Sequence, residues 1–334
     1  MRLIYIALIY LSTLLSASAH AAPSAFVLQD LDSRQILMSS NISLPINPGS
    51  LVELASAIAL TTGTASDISA AAHQIRETPE TLPSDLTKSI SRLISALGMT
   101  RTTFISATAT EDRNQASTAH DLARLAEYCF LHNRQLFEAL SDLKSVSEAA
   151  SRNNAHFWQS STVYGITSTL GDHQWSGIFV SINPKPTLNV RRLLAVILNA
   201  EDARDLADST SHLITEGNLN FETFKAVKKG EIVGTLPIFK GKSDILKVAA
   251  ADDAVITLRR SDLTEKAPDE FTIRMNCRLP ITAPVAEGTE LGKLEVLFHK
   301  QSLVSVPVVS AESISEGGFW KRVADTIRMA SESL

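Results

Sequence analysis

One stretch of this chain has the setting of a nucleophile: Asn47-Pro48-Gly49-Ser50-Leu51-Val52-Glu53, running into Leu54-Ala55-Ser56-Ala57-Ile58-Ala59-Leu60. Pro48 and Gly49 punctuate a loop, Ser50 is a favourable N-cap, and apolar side chains follow at helical spacing. The Ser50 hydroxyl is thus expected at the start of a mostly buried helix, with Glu53 one turn above it on the same face. Two roles fit this spacing. In one, Ser50 is a nucleophile activated by its i+3 neighbour. In the other, Ser50 and Glu53 form a capping box worth about 1 kcal/mol of helix stability. The stretch alone favours the second.

Other polar groups offer less. Asp172-His173 suggests a Ser-His-Asp arrangement with Ser50, but adjacent members cannot let the imidazole bridge acid and serine, so the pair reads as a turn. His120, before Asp121, reads as capping or surface decoration. Trp158, Trp175 and Trp320 read as core or interface residues. Cys129 falls in a helical run and Cys277 in a strand run, so both are expected as buried free thiols. No Cys or His cluster has metal-ligand spacing, and neither metal nor cofactor is expected. A net charge of −5 gives no reason to expect a nucleic-acid partner.

The elements that position Ser50 follow from periodicity. The 334 residues, 44% hydrophobic and 20% charged, describe a folded protein with room for two domains. Residues 1–21 read as a signal peptide: Arg2 gives the basic start, Leu3 to Leu15 the apolar run, and Ala19-His20-Ala21 the cleavage pattern, with Ala17-Ser18-Ala19 as a second choice. Residues 25–30 and 35–39 form a hairpin leading to the Ser50 loop. Helices are expected at 50–62, 65–76, 84–97 and 118–131. The third has Leu86, Ile90, Leu93, Ile94 and Leu97 on one face, Ser84 as cap and Gly98 as stop. Strands follow at 176–183 and 191–199, then a helix at 202–215, which together suggest an α+β domain over 22–219. From 220 to 312 short alternating runs between glycines predict a small all-β domain. Phe271, Ile273, Met275 and Cys277 make one such half-buried strand. Residues 316–334 form an amphipathic helix with Phe319, Trp320, Val323, Ile327 and Ala330 on one face. It suits either a membrane interface or docking on its own domain or a partner.

Several pieces, in order, resemble the D-alanyl-D-alanine carboxypeptidases, the low-molecular-mass penicillin-binding proteins. AFVLQDLDSRQIL resembles the family's first hairpin, and NPGSLVE its Pro-Ala-Ser-Leu-Thr-Lys stretch. ALGMTRTTF is similar to Ala-Leu-Gly-Leu-x-x-Thr-x-Phe, STAHDLARLA to Ser-x-x-Asp-hydrophobic-Ala, and VYGITSTLG to Val-Asp-Gly-Ile-Lys-Thr-Gly-His. ITAPVAEGTELGKLEVLF resembles the β-rich C-terminal domain, and SEGGFWKRVADTIRM the start of the amphipathic anchor. The resemblance implies a penicillin-binding/β-lactamase-like α+β domain, an all-β domain, a membrane-bound helix, and peptidoglycan stem peptides as ligands at the outer face of the inner membrane.

The same resemblance assigns the site. The family's serine attacks the terminal D-alanyl bond, its i+3 lysine takes the proton, and a Lys-Thr-Gly strand helps bind the substrate carboxylate and build the oxyanion hole. Ser50 matches the nucleophile, but Glu53 replaces the lysine. The best match to the Ser-x-Asn motif is Thr64-Ala65-Ser66, and the Lys-Thr-Gly position reads Thr167-Ser168-Thr169. Only ten residues, Leu54 to Gly63, separate Glu53 from Thr64, so the helical part is expected to be shortened. Two ammonium groups are gone and a carboxylate has arrived. A like charge at about 4 Å costs on the order of 1–4 kcal/mol, and a lost charge-assisted contact a further ~2 kcal/mol. Thr169 in place of glycine crowds a strand meant to pair with substrate. Arg204, the nearest match to a downstream family arginine, fits a solvated helix face better. The expectation is a pseudoenzyme that binds stem peptides or cell-wall synthesis proteins. The alternative is a residual hydrolase with Ser50 as nucleophile and Glu53 as base.

Overall fold

The computed structural model describes residues 23–61, 68, 70, 71, 73–75, 85–108, 114–171, 173–185, 189–263 and 270–332; the leader expected at 1–21 lies outside them. The chain divides into two compact units. Met1–Gln29, Met38–Ile182 and Leu193–Thr215 form the first, and Asp30–Leu37, Asn183–Arg192 and Glu216–Leu334 the second.

The chain begins with strands β1 (Ala25–Asp30) and β2 (Ile36–Ser40), then helices α1 (Val52–Leu60), α2 (Leu86–Ala96) and α3 (Ala119–His132). Three short helices follow: α4 (Arg134–Leu140), α5 (Lys144–Ala149) and α6 (Ala155–Ser160). Strands β3 (Thr162–Thr169), β4 (Trp175–Lys185) and β5 (Asn189–Ala200) lead to α7 (Ala203–Asn220). The sheet order is β2-β1-β5-β4-β3. Leu193 through Leu198 are fully buried, as a central strand covered on both faces requires. The expected hairpin forms, with Asp30 N–H donating to Gln35 O at 2.9 Å. The short helices were not anticipated, because six or seven residues are too few for an amphipathic period to show.

Helix α1 buries Val52, Leu54, Ala55, Ser56 and Ala57. Its small residues let α2, α3 and α4 pack against it. Helix α2 buries Leu86, Ile90 and Ile94. It stops at Gly98, whose φ is +64°. Gly98 N–H donates to Ser95 O and Met99 N–H to Ile94 O, a Schellman ending. Ser84, expected as its cap, lies outside the described residues. Of the helix expected at 65–76, residues 68, 70, 71 and 73–75 are helical and the remainder lies outside them.

The ALGMTRTTF and STAHDLARLA stretches meet at Asp121. This carboxylate, 3% exposed, accepts from Arg101 N–H and Thr102 Oγ1, both at 2.9 Å. The cap of α3 is Thr118, whose Oγ1 accepts from Asp121 N–H at 3.1 Å; His120 is half-buried beside it and does not cap. Asp121→Ala removes the acceptor of the Arg101 N–H and one of two partners of Thr102 Oγ1, which keeps Ser117 Oγ at 2.8 Å, so urea denaturation is expected to show a loss of about 1–3 kcal/mol, against less for Asp121→Asn.

Cys129 on α3 is fully buried, and that burial pushes its thiol from 9.0 up to about 12. Because the folded value is raised, the neutral thiol's contribution to stability is complete below about pH 9 and is lost as pH rises toward 12. Within that window the slope is about 1.4 kcal/mol per pH unit. Cys129→Ala is expected to flatten the alkaline fall in urea midpoint.

The second unit carries β6 (Phe221–Val227), β7 (Ile232–Phe239), β8 (Ile245–Ala250), β9 (Ala254–Arg259), β10 (Phe271–Cys277), β11 (Ile281–Thr282), β12 (Glu290–Phe298), β13 (Gln301–Ser310) and helix α8 (Phe319–Glu332). Six strands run in the order β10-β12-β13-β8-β7-β11, and β6 pairs with β9. The core holds Val227, Leu246, Val248, Ile256, Leu294, Val296 and Val308. Strand β10 is an edge strand. Phe271, Met275 and Cys277 pack against that core, but Ile273 is 56% exposed. Cys277 is therefore half-buried rather than buried, as an edge position allows.

This unit also holds a buried ion pair. Asp30 and Arg191 are 0% and 1% exposed, with Arg191 Nε donating to Asp30 Oδ2 at 3.0 Å. Arg191 Nη1 donates to the carbonyls of Gly217 and Phe221. Thr223 Oγ1 and the N–H groups of Asp32 and Ser33 complete the shell of Asp30.

Helix α8 turns its polar side inward. Asp325 is 8% exposed and accepts from Lys240 N–H at 2.5 Å. Lys321 pairs with Asp244 and lies 3.7 Å from Asp325, while Arg322 meets Glu316 at 2.6 Å. Phe319, Trp320, Val323 and Ile327 face outward, Trp320 being 81% exposed. The expected amphipathic helix thus rests on its own unit through ion pairs and leaves its apolar face open; Trp320 is neither core nor covered. Among the described residues no helix is long and apolar enough to cross a membrane.

Candidate functional site

Gly49–Leu51 form a single 3₁₀ turn ahead of α1, and Ser50 lies inside it. Neither this turn nor α1 has a side-chain cap, so the expected N-cap and capping box are not formed. The reason is a competing partner. The turn packs on β3, and Ser50 N–H donates to Ser168 Oγ at 2.8 Å while Ser50 Oγ donates to Thr167 O at 3.4 Å. Asn47 Oδ1 accepts from Gly49 N–H at 3.0 Å and fixes the approach to the turn. Gly49 has φ +56°, and a Cβ there would collide with Ser168 Oγ. Glycine is required twice over: by conformation and by close approach.

The structure therefore brings together Ser50, Thr167 and Ser168, which are 117 and 118 positions apart. Ser168 is 4% exposed. Glu53 is half-buried in the first turn of α1, and Thr169 is exposed. Thr64 and Ser66 lie outside the described residues, as does Asp172. His173 and Arg204 are exposed. Trp158 packs edge-on against Phe179, with centroids 6.0 Å apart, and Trp175 is half-buried.

Strand β3 is the edge of its sheet, and its outer rim is occupied beside Ser50. Gly165 N–H donates to Ser141 Oγ, and Asp142 N–H to Gly165 O, both at 2.9 Å. An extended ligand adds to a sheet through free N–H and C=O groups; here Gly165 and the Thr167 carbonyl are already engaged.

The chemistry follows. A serine hydroxyl becomes a nucleophile when a base takes its proton, but the hydrogen-bond partner of Ser50 Oγ is a peptide carbonyl at 3.4 Å, which cannot act as that base. A backbone N–H stabilises an oxyanion only when it is aimed at the place where charge develops, and the N–H of Ser50 is aimed at Ser168 Oγ. Sequence reasoning found the residues but missed the latch. The one available signal was glycine at position 49, where the resembled motif has alanine.

Comparison with known proteins adds the lineage. Residues 221–316 match the family described as penicillin-binding protein 5, C-terminal domain. The chain is similar to D-alanyl-D-alanine carboxypeptidase DacC of Escherichia coli, 26% identical over 70% of this chain and 57% of that protein. It is also similar to DacA of Haemophilus influenzae, 20% identical over 89% of this chain and 73% of that one. The chain spans about half the length of the first curated relatives it matches, from 53% to 57%. Among solved structures it superposes on penicillin binding protein 5 from Haemophilus influenzae with a TM-score of 0.67, at 17% identity, covering 88% of this chain and 98% of that one. Penicillin binding protein 6B from Escherichia coli gives 0.56 at 16% identity, with coverage of 89% and 98%. The α+β DD-peptidase fold with its all-β C-terminal domain is thereby established.

Proposed function

We propose a binding rather than a catalytic role for this chain, which belongs to the D-alanyl-D-alanine carboxypeptidase family of low-molecular-mass penicillin-binding proteins. The protein is exported by its first 21 residues and lies on the outer face of the inner membrane through helix α8. There it acts as a pseudoenzyme that holds peptidoglycan stem peptides or cell-wall synthesis proteins. One observation carries the reading: the N–H and the hydroxyl of Ser50 are both engaged by β3, while Glu53 and Thr167 stand where the family has lysines. Binding needs neither a base nor an oxyanion hole; acylation needs both. A fluorescent penicillin tests this directly. Absence of covalent label is expected, and stoichiometric labelling that Ser50→Ala abolishes would refute it.

A further inference from the structure

Beside α8 the second unit has a cavity of about 470 Å³, lined by Lys240, Phe319, Arg322, Val323, Thr326 and Ile327 among others. Its volume lies within the range of small-ligand sites, about 300–1,000 Å³. One wall is apolar and continuous with the outward face of the helix. Two cations, Lys240 and the helix's own Arg322, also line the cavity, together with the carboxylate of Glu316. Arg322 is paired with Glu316. Lys240, half-buried, gives its backbone N–H to Asp325, and its ammonium has no carboxylate within 4 Å among the described residues.

Around the cavity cations exceed carboxylates by one, although the chain as a whole is anionic. Lys240, Lys321, Arg322 and Arg328 lie at the helix and its floor, with Asp244, Glu316 and Asp325 among them. Lys321 is committed to Asp244, and each holds the other charged. Arg328 lies over the Phe239 ring. Lys240 is thus the lining cation whose ammonium is in no ion pair among the described residues, set at the foot of an exposed apolar face.

We infer that this cavity is a binding site for the phosphate of an anionic phospholipid. The headgroup phosphate meets Lys240, with Arg322 at its side, and an acyl chain runs along Phe319, Val323 and Ile327. This rests on the reading of α8 as a membrane-surface helix, and makes that surface selective for lipid charge. A bilayer lipid is the occupant that matches both features: a solvated phosphate satisfies only the cation, and an uncharged lipid only the apolar strip.

The test is flotation of the full chain with phosphatidylcholine vesicles, with and without phosphatidylglycerol, alongside quenching of Trp320 by brominated lipid. Wild type is expected to favour the anionic vesicles. Lys240→Gln should lower that binding about fivefold, the share of one juxtamembrane cation, and Lys240→Glu should abolish the preference. The exposed Lys242→Gln control should lose clearly less. Equal binding to both vesicles, or identical losses in Lys240→Gln and Lys242→Gln, would overturn the site while leaving the surface helix standing. Failure to bind either vesicle, with Trp320 unquenched, would remove the surface helix and the site with it.

Discussion

Acylation by a fluorescent penicillin is expected at a rate at least about 10⁴-fold below that of a relative carrying both lysines, taking the lower bounds for a general base (10²) and an oxyanion donor (10²) together. Single reversions do not recover it. Glu53→Lys supplies a base but leaves the Ser50 N–H bonded to Ser168 Oγ. Ser168→Ala frees that N–H but leaves Ser50 without a base. The two together, with Thr167→Lys to meet the ligand carboxylate, are expected to recover a measurable rate, because each removes a different obstacle. Thr167→Lys keeps the backbone carbonyl that receives the Ser50 hydroxyl, so the rate should stay below that of the intact relative. Stopped-flow fluorescence reads the series. A wild-type rate comparable to an active relative would defeat the account, as would full recovery with Glu53→Lys alone.

Asp30→Ala is expected to cost about 3–5 kcal/mol, read as a shift in urea midpoint at unchanged slope. The change leaves the Arg191 guanidinium 1% exposed and facing only the carbonyls of Gly217 and Phe221, with Nη2 already unpartnered. It also removes the acceptor of the Asp32 and Ser33 N–H groups and one partner of Thr223 Oγ1, which keeps Thr257 Oγ1 at 2.9 Å. Since a domain's whole stability is about 5–15 kcal/mol, this one carboxylate accounts for a large share of it. Replacing both partners, Asp30→Leu with Arg191→Met, should cost less than Asp30→Ala, because no charge is then left buried alone. A double variant worse than the single would contradict this.

How far the sequence could be read depends on the range of the interactions. The hairpin of β1 and β2, the Leu86–Ile90–Ile94 face and the Gly98 stop were legible because each is local: alternation, helical period and a left-handed glycine need only neighbouring residues. The apolar stripe of α8 was equally plain, but not its orientation, which depends on Asp325 finding the Lys240 N–H 85 positions away. The site divides in the same way. Ser50 and its missing lysines were evident by resemblance. Local propensity favoured an N-cap, and tertiary contact with Ser168 overrode it. Ile273 followed the alternation of its strand and is still exposed, because period alone does not say which strand ends a sheet. The short helices α4 to α6 fell below the length at which a period can be seen.

Under the proposed binding role, the left-handed glycine before Ser50 makes the chemistry of the resembled motif hard to restore. Alanine at 49, the residue of the resembled motif, and a hydroxyl at Ser168 bonded to the Ser50 amide exclude one another in space. Restoring alanine first expels the hydroxyl and strains the turn; removing the hydroxyl first leaves an amide without its partner. Each backward step is unfavourable until the other has been taken, so the two positions behave as a ratchet.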